Sequence, residues 1–185
     1  MVKSMRARCN TNAFIALSGP HPTYLVTAND PRDNSKAAIA VAWATPLSVR
    51  PPLFGIVISP NKFSYNIVKE AGIFTVNVMP LNALSEVWWA GTHTGRQYED
   101  KITEAGLSPV PGKTDKNAIS VEEAIASFEC KVKNMVPIGN HTLIVGEVVS
   151  VDAMEEFFDA KKGLWIPETA RLIYHLANEA FLTNC

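Results

Sequence analysis

Polar side chains gather where a predicted strand runs into a predicted helix, in the segment SPNKFSYN (residues 59–66). The free amide groups of a first helical turn and the positive end of the helix dipole attract anions. Lys62 adds a cation, while Ser64 and Tyr65 add hydroxyl donors that suit a phosphate. The segment therefore indicates a site for a phosphate monoester, and an ordinary helix cap with exposed polar residues is an equally good interpretation.

A second cluster of small polar groups, AWATPLSVRPP (residues 42–52), follows a predicted buried strand. Its three prolines lack backbone N–H groups, so we expect an irregular segment without regular strand pairing. The backbone groups of Thr45, Leu47 and Ser48 then need other partners. A flat heterocycle could supply them, although the spacing alone favours a plain loop.

Several catalytic motifs are absent from the sequence. It contains no GxGxxG, GxxxxGK[ST], GxSxG or HExxH pattern, and we predict no metal site. The three cysteines, Cys9, Cys130 and Cys185, lie far apart without a CxxC pair, which favours a reducing cytoplasm. An enzyme without an evident acid, base or nucleophile often takes its reactivity from an organic cofactor.

The composition describes an apolar globular chain of 185 residues, of which 47% are hydrophobic. We expect one domain over residues 1–185, and the apolar excess suggests a buried subunit interface. The formal net charge is −1, and the basic residues are scattered rather than clustered. We therefore expect neither nucleic acid nor a membrane as partner, and no stretch resembles an export signal or a membrane span.

The periodicity of apolar residues predicts the elements that position the two polar clusters. In the first half we expect strands at AFIAL and TYLVTA (within residues 12–28), AAIAVAWA, LFGIVIS and IFTVNVM. A helix between the last two is expected to have Asn61 as its N-cap and to end at Gly72.

In the second half, LNALSEVWWAG and GRQYEDKITEAG predict two short helices, and residues 107–117 predict a loop. Residues 125–136 and 141–151 predict a long antiparallel pair, followed by a helical turn at 155–162 and a last strand in ARLIYHLA. About seven strands with interposed helices favour a mainly antiparallel barrel over a doubly wound sheet.

Three pieces of the sequence, in order, resemble one known family. They are the region from AWATPLSVRPP to IFTVNV, the loop AGTHTGRQYEDKI with its Asp-Lys pair, and the strand IGNHTLIVGEV. Together they resemble the flavin reductase-like, FMN-binding split β-barrel family, which includes flavoredoxins and ferric reductases. The similarity extends over residues 12–176, and it implies a mainly β, Greek-key-like antiparallel barrel with helical excursions.

The resemblance implies a homodimer with FMN in a groove between protomers, its ring against the first cluster and its phosphate at the second. The implied cofactor-binding residues are Ala44, Thr45, Pro46, Leu47, Ser48, Ser59, Lys62, Phe63, Ser64, Asn66, Thr94 and Arg96. His141 matches the family histidine near the flavin or nicotinamide, where it could guide a proton, and a strand histidine bonded to a backbone carbonyl is the alternative. Asn140 replaces the aspartate that is more usual before it.

The activity implied by the resemblance is transfer of electrons from NADH or NADPH through FMN to an acceptor. The acceptor could be free flavin, a ferric chelate, oxygen or a partner protein. A non-enzymatic FMN-binding electron carrier is the alternative, and a barrel that has lost its flavin is a third hypothesis.

Overall fold

The computed structural model describes residues 7–184, and its largest feature is an antiparallel sheet of seven strands. The strands are β1 (His21–Pro22), β2 (Tyr24–Asn29), β3 (Lys36–Val41), β4 (Ala44–Val49), β5 (Pro52–Ile58), β6 (Ile73–Val78), β7 (Pro109–Pro111), β8 (Ile119–Val121), β9 (Ala126–Ile138), β10 (His141–Ala153), β11 (Phe158–Asp159), β12 (Leu164–Trp165), β13 (Tyr174–Ala177) and β14 (Ala180–Leu182). The helices are α1 (Phe14–Leu17), α2 (Phe63–Ala71), α3 (Leu84–Thr92) and α4 (Lys101–Glu104), with 3₁₀ turns at Thr11–Ala13, Leu81–Ala83 and Gly95–Gln97.

The order of strands in the large sheet explains why it closes into a barrel. That order is β3-β2-β6-β9-β10-β5-β4, and its two outer strands are joined in the chain only by Ala42 and Trp43. Because a residue spans at most about 3.6 Å, so short a link forces the sheet to curl until its edges meet. The backbone oxygen of Trp43 accepts a hydrogen bond of 2.8 Å from the amide of Val57, which ties the link to β5. The predicted antiparallel barrel is confirmed.

Alternate side chains of each strand fill the inside of the barrel. On β5 these are Phe54, Ile56 and Ile58, all buried. Cys130 is fully buried on β9, where burial, with a smaller effect of Glu129, raises the pKa of its thiol to about 12. Gly146 of β10 leaves room for it, because a Cβ at Gly146 would lie only 2.6 Å from the Cβ of Cys130.

Helices α3 and α4 cover one outer side of the barrel. Val87 and Ala90 of α3 and Ile102 of α4 are fully buried in a second apolar cluster outside the sheet, together with Leu25 of β2 and Ala38 of β3.

The hairpin of β7 and β8 is held to the barrel by buried hydrogen bonds. The amide of Asn77 donates to the backbone oxygen of Leu25 at 3.0 Å and to the hydroxyl of Thr27 at 2.9 Å, while its oxygen accepts from Val121 N at 3.3 Å. The predicted loop at residues 107–117 contains strand β7, which pairs with β8.

The opposite outer side of the barrel carries apolar side chains without a covering element in the described chain. Since Ile144 faces the core, its neighbours Leu143 and Val145 face outward, and their cross-strand partners lie beside them. Leu47 and Leu143 close over Gly55, where a Cβ would lie 2.8 and 3.0 Å from their Cδ1 atoms. We call this patch the outer apolar face, and it consists of Leu47, Gly55, Val57, Val136, Leu143 and Val145.

Several local predictions are wrong. AFIAL forms a 3₁₀ turn and α1 rather than a strand, because the side chain of Asn10 caps the turn by accepting from Asn12 N at 2.9 Å. Residues 155–162 form turns and β11 rather than a helical turn, and β11 pairs with β12. The segment after Trp43 is predicted to be unpaired, but it forms strand β4. This strand pairs with β5 in antiparallel register, with a register shift between Pro46 and Ser48. Proline is tolerated there because β4 is an outer strand.

The other helices and strands lie close to their predicted positions. The N-cap of α2 is Lys62 rather than Asn61, and its C-cap is Gly72, whose positive φ of 67° favours glycine. Helix α3 continues one residue past Gly91, the second predicted helix is split into a 3₁₀ turn and α4, and the last strand is shorter than predicted. Among the described residues, no helix is long and apolar enough to cross a membrane.

Candidate functional site

A cleft of about 630 Å³ runs along the seam of the barrel, where β3 bends towards β4. Its walls come from the end of β3, the end of β5, helix α1 and strand β13. The lining residues are Asn12, Ile15, Ala16, His21, Ile39, Ala40, Val41, Ala42, Trp43, Val57, Ile58, Ser59, Lys62, His141, His175, Leu176, Ala177 and Asn178. None of them is acidic, so the cleft has no carboxylate to repel an anion.

The first turn of α2 lies at one end of this cleft. Lys62 is its N-cap and makes no side-chain capping hydrogen bond. Its backbone oxygen accepts from Tyr65 N at 3.1 Å, and the amides of Phe63 and Ser64 before it gain no partner from the cap. Ser64 is only 3% exposed, and no hydrogen bond from its hydroxyl occurs within residues 7–184. The hydroxyl of this buried residue is not fully enclosed, and it lies beside a lysine and a helix N-terminus, a combination that suits an anionic ligand.

The loop at residues 94–97 packs closely against the same turn. A Cβ at Gly95 would lie 2.7 Å from Cδ1 of Phe63, so only glycine permits this approach. Thr94 caps the 3₁₀ turn of the loop, and the guanidinium of Arg96 lies 5.9 Å from the centre of the Phe63 ring. The loop thereby brings a second cation to the N-terminus of α2.

A third cation, Lys101, lies beneath this loop. Asp100 caps α4 by accepting from Ile102 N and Thr103 N at 3.1 Å each, and it forms an ion pair with Lys36 of β3. The cap places Lys101 in the interior, 2% exposed, with Nζ donating to Ala90 O at 2.5 Å. Burial, and then the nearby charge of Lys62, lower the pKa of Lys101 to about 8.

Within residues 7–184, these three cations have no acidic partner. No ion pair of Lys62, Arg96 or Lys101 occurs in the part of the chain that the structure describes. Because like charges repel, such a group is more stable when an anion lies between its members. We call Lys62, Ser64, Arg96 and Lys101 the cation cluster.

The wall of the cleft also carries two rings. Trp43 and His141 lie with ring centres 5.0 Å apart and planes inclined by 46°. Nδ1 of His141 is 2.7 Å from Oδ1 of Asn140, and since that oxygen only accepts, Nδ1 donates the hydrogen bond. Asn140 thus orients the imidazole as an aspartate would, but it carries no charge. The other ring nitrogen, Nε2, takes no part in this hydrogen bond.

Comparison with known proteins adds to this geometry. The sequence model of one protein family, described as the flavin reductase like domain, matches residues 17–175 of this chain. The chain belongs to the flavin reductase-like family. The match extends over both the cation cluster and the pair of Trp43 and His141.

Individual similar proteins agree with this assignment. A protein of Archaeoglobus fulgidus is 36% identical over 142 residues, which are 77% of this chain and 77% of the relative. A ferric-chelate reductase (NAD(P)H) of the same organism is 26% identical over 147 residues, 80% of this chain and 83% of the relative. The crystal structure of an FMN-binding protein from Thermus thermophilus with bound 1-cyclohex-2-enone has a TM-score of 0.82 and 26% identity, covering 100% of this chain and 97% of that chain.

The structure brings together part of the site predicted from the family resemblance. Ser59, Lys62 and His141 line the cleft, and Phe63 and Ser64 follow Lys62 in the first turn of α2. Asn66 is exposed one residue beyond Tyr65 on the same helix.

The predicted ring-binding residues lie beside the cleft and not in its wall. The cleft lining stops at Trp43, just before Ala44. Thr45 and Leu47 are exposed on β4, whereas Pro46 and Ser48 line a second cavity on the other side of that strand.

Sequence analysis missed two residues of the site. Trp43 is part of the quoted AWATP segment, but nothing in its spacing distinguishes a cleft wall from a core position. Lys101 belongs to the Asp-Lys pair, yet its burial depends on Asp100 capping α4 and on the carbonyl of Ala90, contacts that form only in the folded chain.

Proposed function

We propose that the chain binds FMN and acts as an oxidoreductase that takes electrons from NADH or NADPH. The observation that carries this proposal is the cation cluster, in which three cations without an ion pair among the described residues lie near the first turn of α2, which also carries Ser64. A phosphate monoester supplies the missing negative charge and acceptor oxygens. The same residues match the family segment on which the resemblance rests.

The register of β4 and β5 fits a cofactor with a ring at one end and a phosphate at the other. Thr45 pairs with Gly55, and Ser59 lies four residues further along the chain, directly after β5. At about 3.3 Å per residue, these positions are roughly 13 Å apart. In this proposal the flavin ring lies against the backbone of Ala44–Val49, on the side of Thr45 and Leu47. Ser59, Lys62, Phe63, Ser64, Asn66, Thr94 and Arg96 hold the phosphate end, together with Lys101.

Bound FMN would accept a hydride from the nicotinamide and pass the electrons on to an acceptor. The chain's own residues would bind, orient and shield the reactants. Trp43 supplies an apolar wall, and His141 is held by Asn140 so that Nε2 can hold or move a proton at the edge of the cleft. The cation cluster fixes the far end of the cofactor.

The donor and the acceptor are inferred from the family. The chain has no glycine-rich dinucleotide loop, so a nicotinamide would bind by stacking on the flavin. The ferric-chelate reductase relative is named for NAD(P)H, which supports either nicotinamide as donor. A ferric chelate, free flavin, oxygen or a redox partner protein would then receive the electrons.

We also propose that two copies associate through the outer apolar face. This face lies on β4, β5, β9 and β10 and exposes Leu47 and Val136 by 43% and 38%. It shares β4 with the proposed ring-binding residues, so a second copy on this face would cover the flavin ring. Apolar area of this kind favours a homodimer because burial removes it from water.

An absorbance spectrum tests the proposed function. The purified protein is titrated with FMN and then reduced without oxygen, first by NADH and then by NADPH. We expect bound-flavin bands that bleach with at least one donor. Bands that never bleach would favour an electron carrier, and no binding of FMN would show that the proposed function is wrong.

A further inference from the structure

A second cavity, of about 530 Å³, lies inside one end of the barrel, where β2, β5 and β9 begin. We call it the barrel-mouth cavity. Its inner wall includes Tyr24, Phe54 and Phe128, and Trp165 and Tyr174 approach from outside the barrel. It shares no lining residue with the seam cleft. Open ends of β-barrels and cavities of this size are common ligand sites.

The wall of the barrel-mouth cavity is apolar and carries no charge. Its residues are aliphatic, aromatic or proline, apart from the hydroxyls of Thr23, Ser48 and two tyrosines. A charged ligand would lose its hydration here without gaining a counter-ion, which is unfavourable. The cavity therefore selects a neutral ligand.

Two phenol groups supply the polar contacts of this cavity. The ring of Tyr24 is fixed edge-to-face against Phe54 at 5.6 Å and Phe128 at 6.5 Å. Among residues 7–184, the hydroxyls of Tyr24 and Tyr174 have no hydrogen-bond partner, and both residues line the cavity. Both can therefore donate to a ligand.

The two tyrosines are neighbours in the fold, because Tyr174 of β13 pairs with Pro22 of β1, two residues before Tyr24. Burial, and then the nearby Tyr174, raise the pKa of Tyr24 above its ordinary value. Tyr24 thus stays protonated, and remains a donor, well above neutral pH. Two neutral donors in an aromatic cavity match the lone pairs of one carbonyl oxygen.

We propose that the barrel-mouth cavity binds a small, flat, neutral carbonyl compound, with its oxygen accepting from Tyr24 and Tyr174 and its ring packed between aromatic side chains. Pro46 and Ser48 separate this ligand from the proposed flavin ring, which lies on the opposite face of β4. The proposal does not depend on FMN binding or on electron transfer. It is an additional site for an organic carbonyl compound.

The test compares acetophenone with ethylbenzene, which has a similar shape but no oxygen. Binding is followed by ligand-observed NMR and by the fluorescence of Trp165, in wild-type protein with and without FMN. We expect Tyr24→Phe and Tyr174→Phe each to weaken acetophenone by about tenfold, since each loses one hydrogen bond. Neither change should alter the affinity for ethylbenzene.

A matched control is Tyr98→Phe, because Tyr98 packs on Trp89 outside this cavity. It should bind both probes as the wild type does. The proposal is wrong if acetophenone does not bind at millimolar concentration, if the tyrosine variants weaken both probes equally, or if FMN displaces acetophenone. The bleaching of FMN by nicotinamide is measured on the same variants, so failure of one proposal is distinguishable from failure of the other.

Discussion

At the scale of single residues, Lys62 and Ser64 determine whether the first turn of α2 can hold a phosphate. One supplies a charge at the mouth of the cleft, and the other supplies a buried hydroxyl. Both contacts are charge-assisted when the acceptor is a phosphate. Their separate effects are expected to combine, because they would contact the same group.

The double substitution Lys62→Ala with Ser64→Ala should weaken FMN binding by about 2 to 4 kcal/mol, since charge-assisted hydrogen bonds are lost. A fluorescence titration with FMN measures this change. Lys69→Ala is the control, because Lys69 lies in the last turn of the same helix. Equal affinities for the double variant and the control would place the phosphate elsewhere.

Lys101 makes a prediction about pH. Its pKa is lowered to about 8, so the free protein loses this charge as the pH rises through about 8. A bound anion favours the protonated form of Lys101. Above about pH 8 the lysine must therefore take up a proton when FMN binds, and the affinity for FMN falls. If the phosphate raises this pKa by one unit, FMN affinity should fall about tenfold between about pH 7 and pH 9.5.

Lys101→Met keeps much of the buried side chain but removes the charge. Its FMN affinity should be lower at pH 7 and nearly constant over the same pH range. A wild-type titration that is flat, or a variant that retains the full decrease, would contradict a contact between Lys101 and the phosphate.

At the scale of helices and strands, the sequence predicts those elements that have a clear apolar periodicity. It does not predict features that depend on which strands lie side by side in the sheet. The strands that became β2, β5, β6, β9 and β10 were predicted from their apolar periodicity, because that pattern follows directly from burial of one or both faces. AFIAL has the same composition as a short strand but has no neighbouring strand to pair with. Its local cap at Asn10 therefore decides the conformation.

The edge position of β4 could not be predicted either. Three prolines argue against a central strand, and β4 is indeed an outer strand whose pairing register shifts after Pro46. Which strand lies at an edge depends on the order of the whole sheet. The ring-binding part of the candidate site depends on this position. The sequence could assign these residues to the segment that forms β4, but it could not predict which face of the strand each side chain occupies.

The close packing of β10 against Cys130 and Phe74 leads to a prediction about Gly146. A methyl group there would meet both Cys130 and Phe74, at 2.6 and 2.8 Å. Gly146→Ala should lower the free energy of unfolding by about 1 to 3 kcal/mol through overpacking. Chemical denaturation measures the change, and Val149→Ala, at an exposed position of the same strand, should have a much smaller effect.

At the scale of the whole molecule, the outer apolar face predicts self-association. Val136→Glu would place a charge in the proposed interface and should weaken the dimer by at least about tenfold, because an unpaired buried charge is costly. Light scattering after gel filtration measures the mass. Met154→Glu, an equally exposed apolar position just beyond β10, should leave the dimer intact. A monomeric wild-type protein would contradict the proposal.

The depth of Cys130 has a consequence for a protein that handles electrons in air. Reduced flavins that meet oxygen generate hydrogen peroxide, and peroxide attacks thiolates that it can reach. Cys130 is fully buried with a pKa of about 12, so it presents neither an accessible sulfur nor a thiolate. Cys9 is exposed, and it lies outside the barrel, before the first helical turn. If the chain reduces flavin as proposed, peroxide would therefore oxidise Cys9 before Cys130. The thiol of Cys130 would remain reduced.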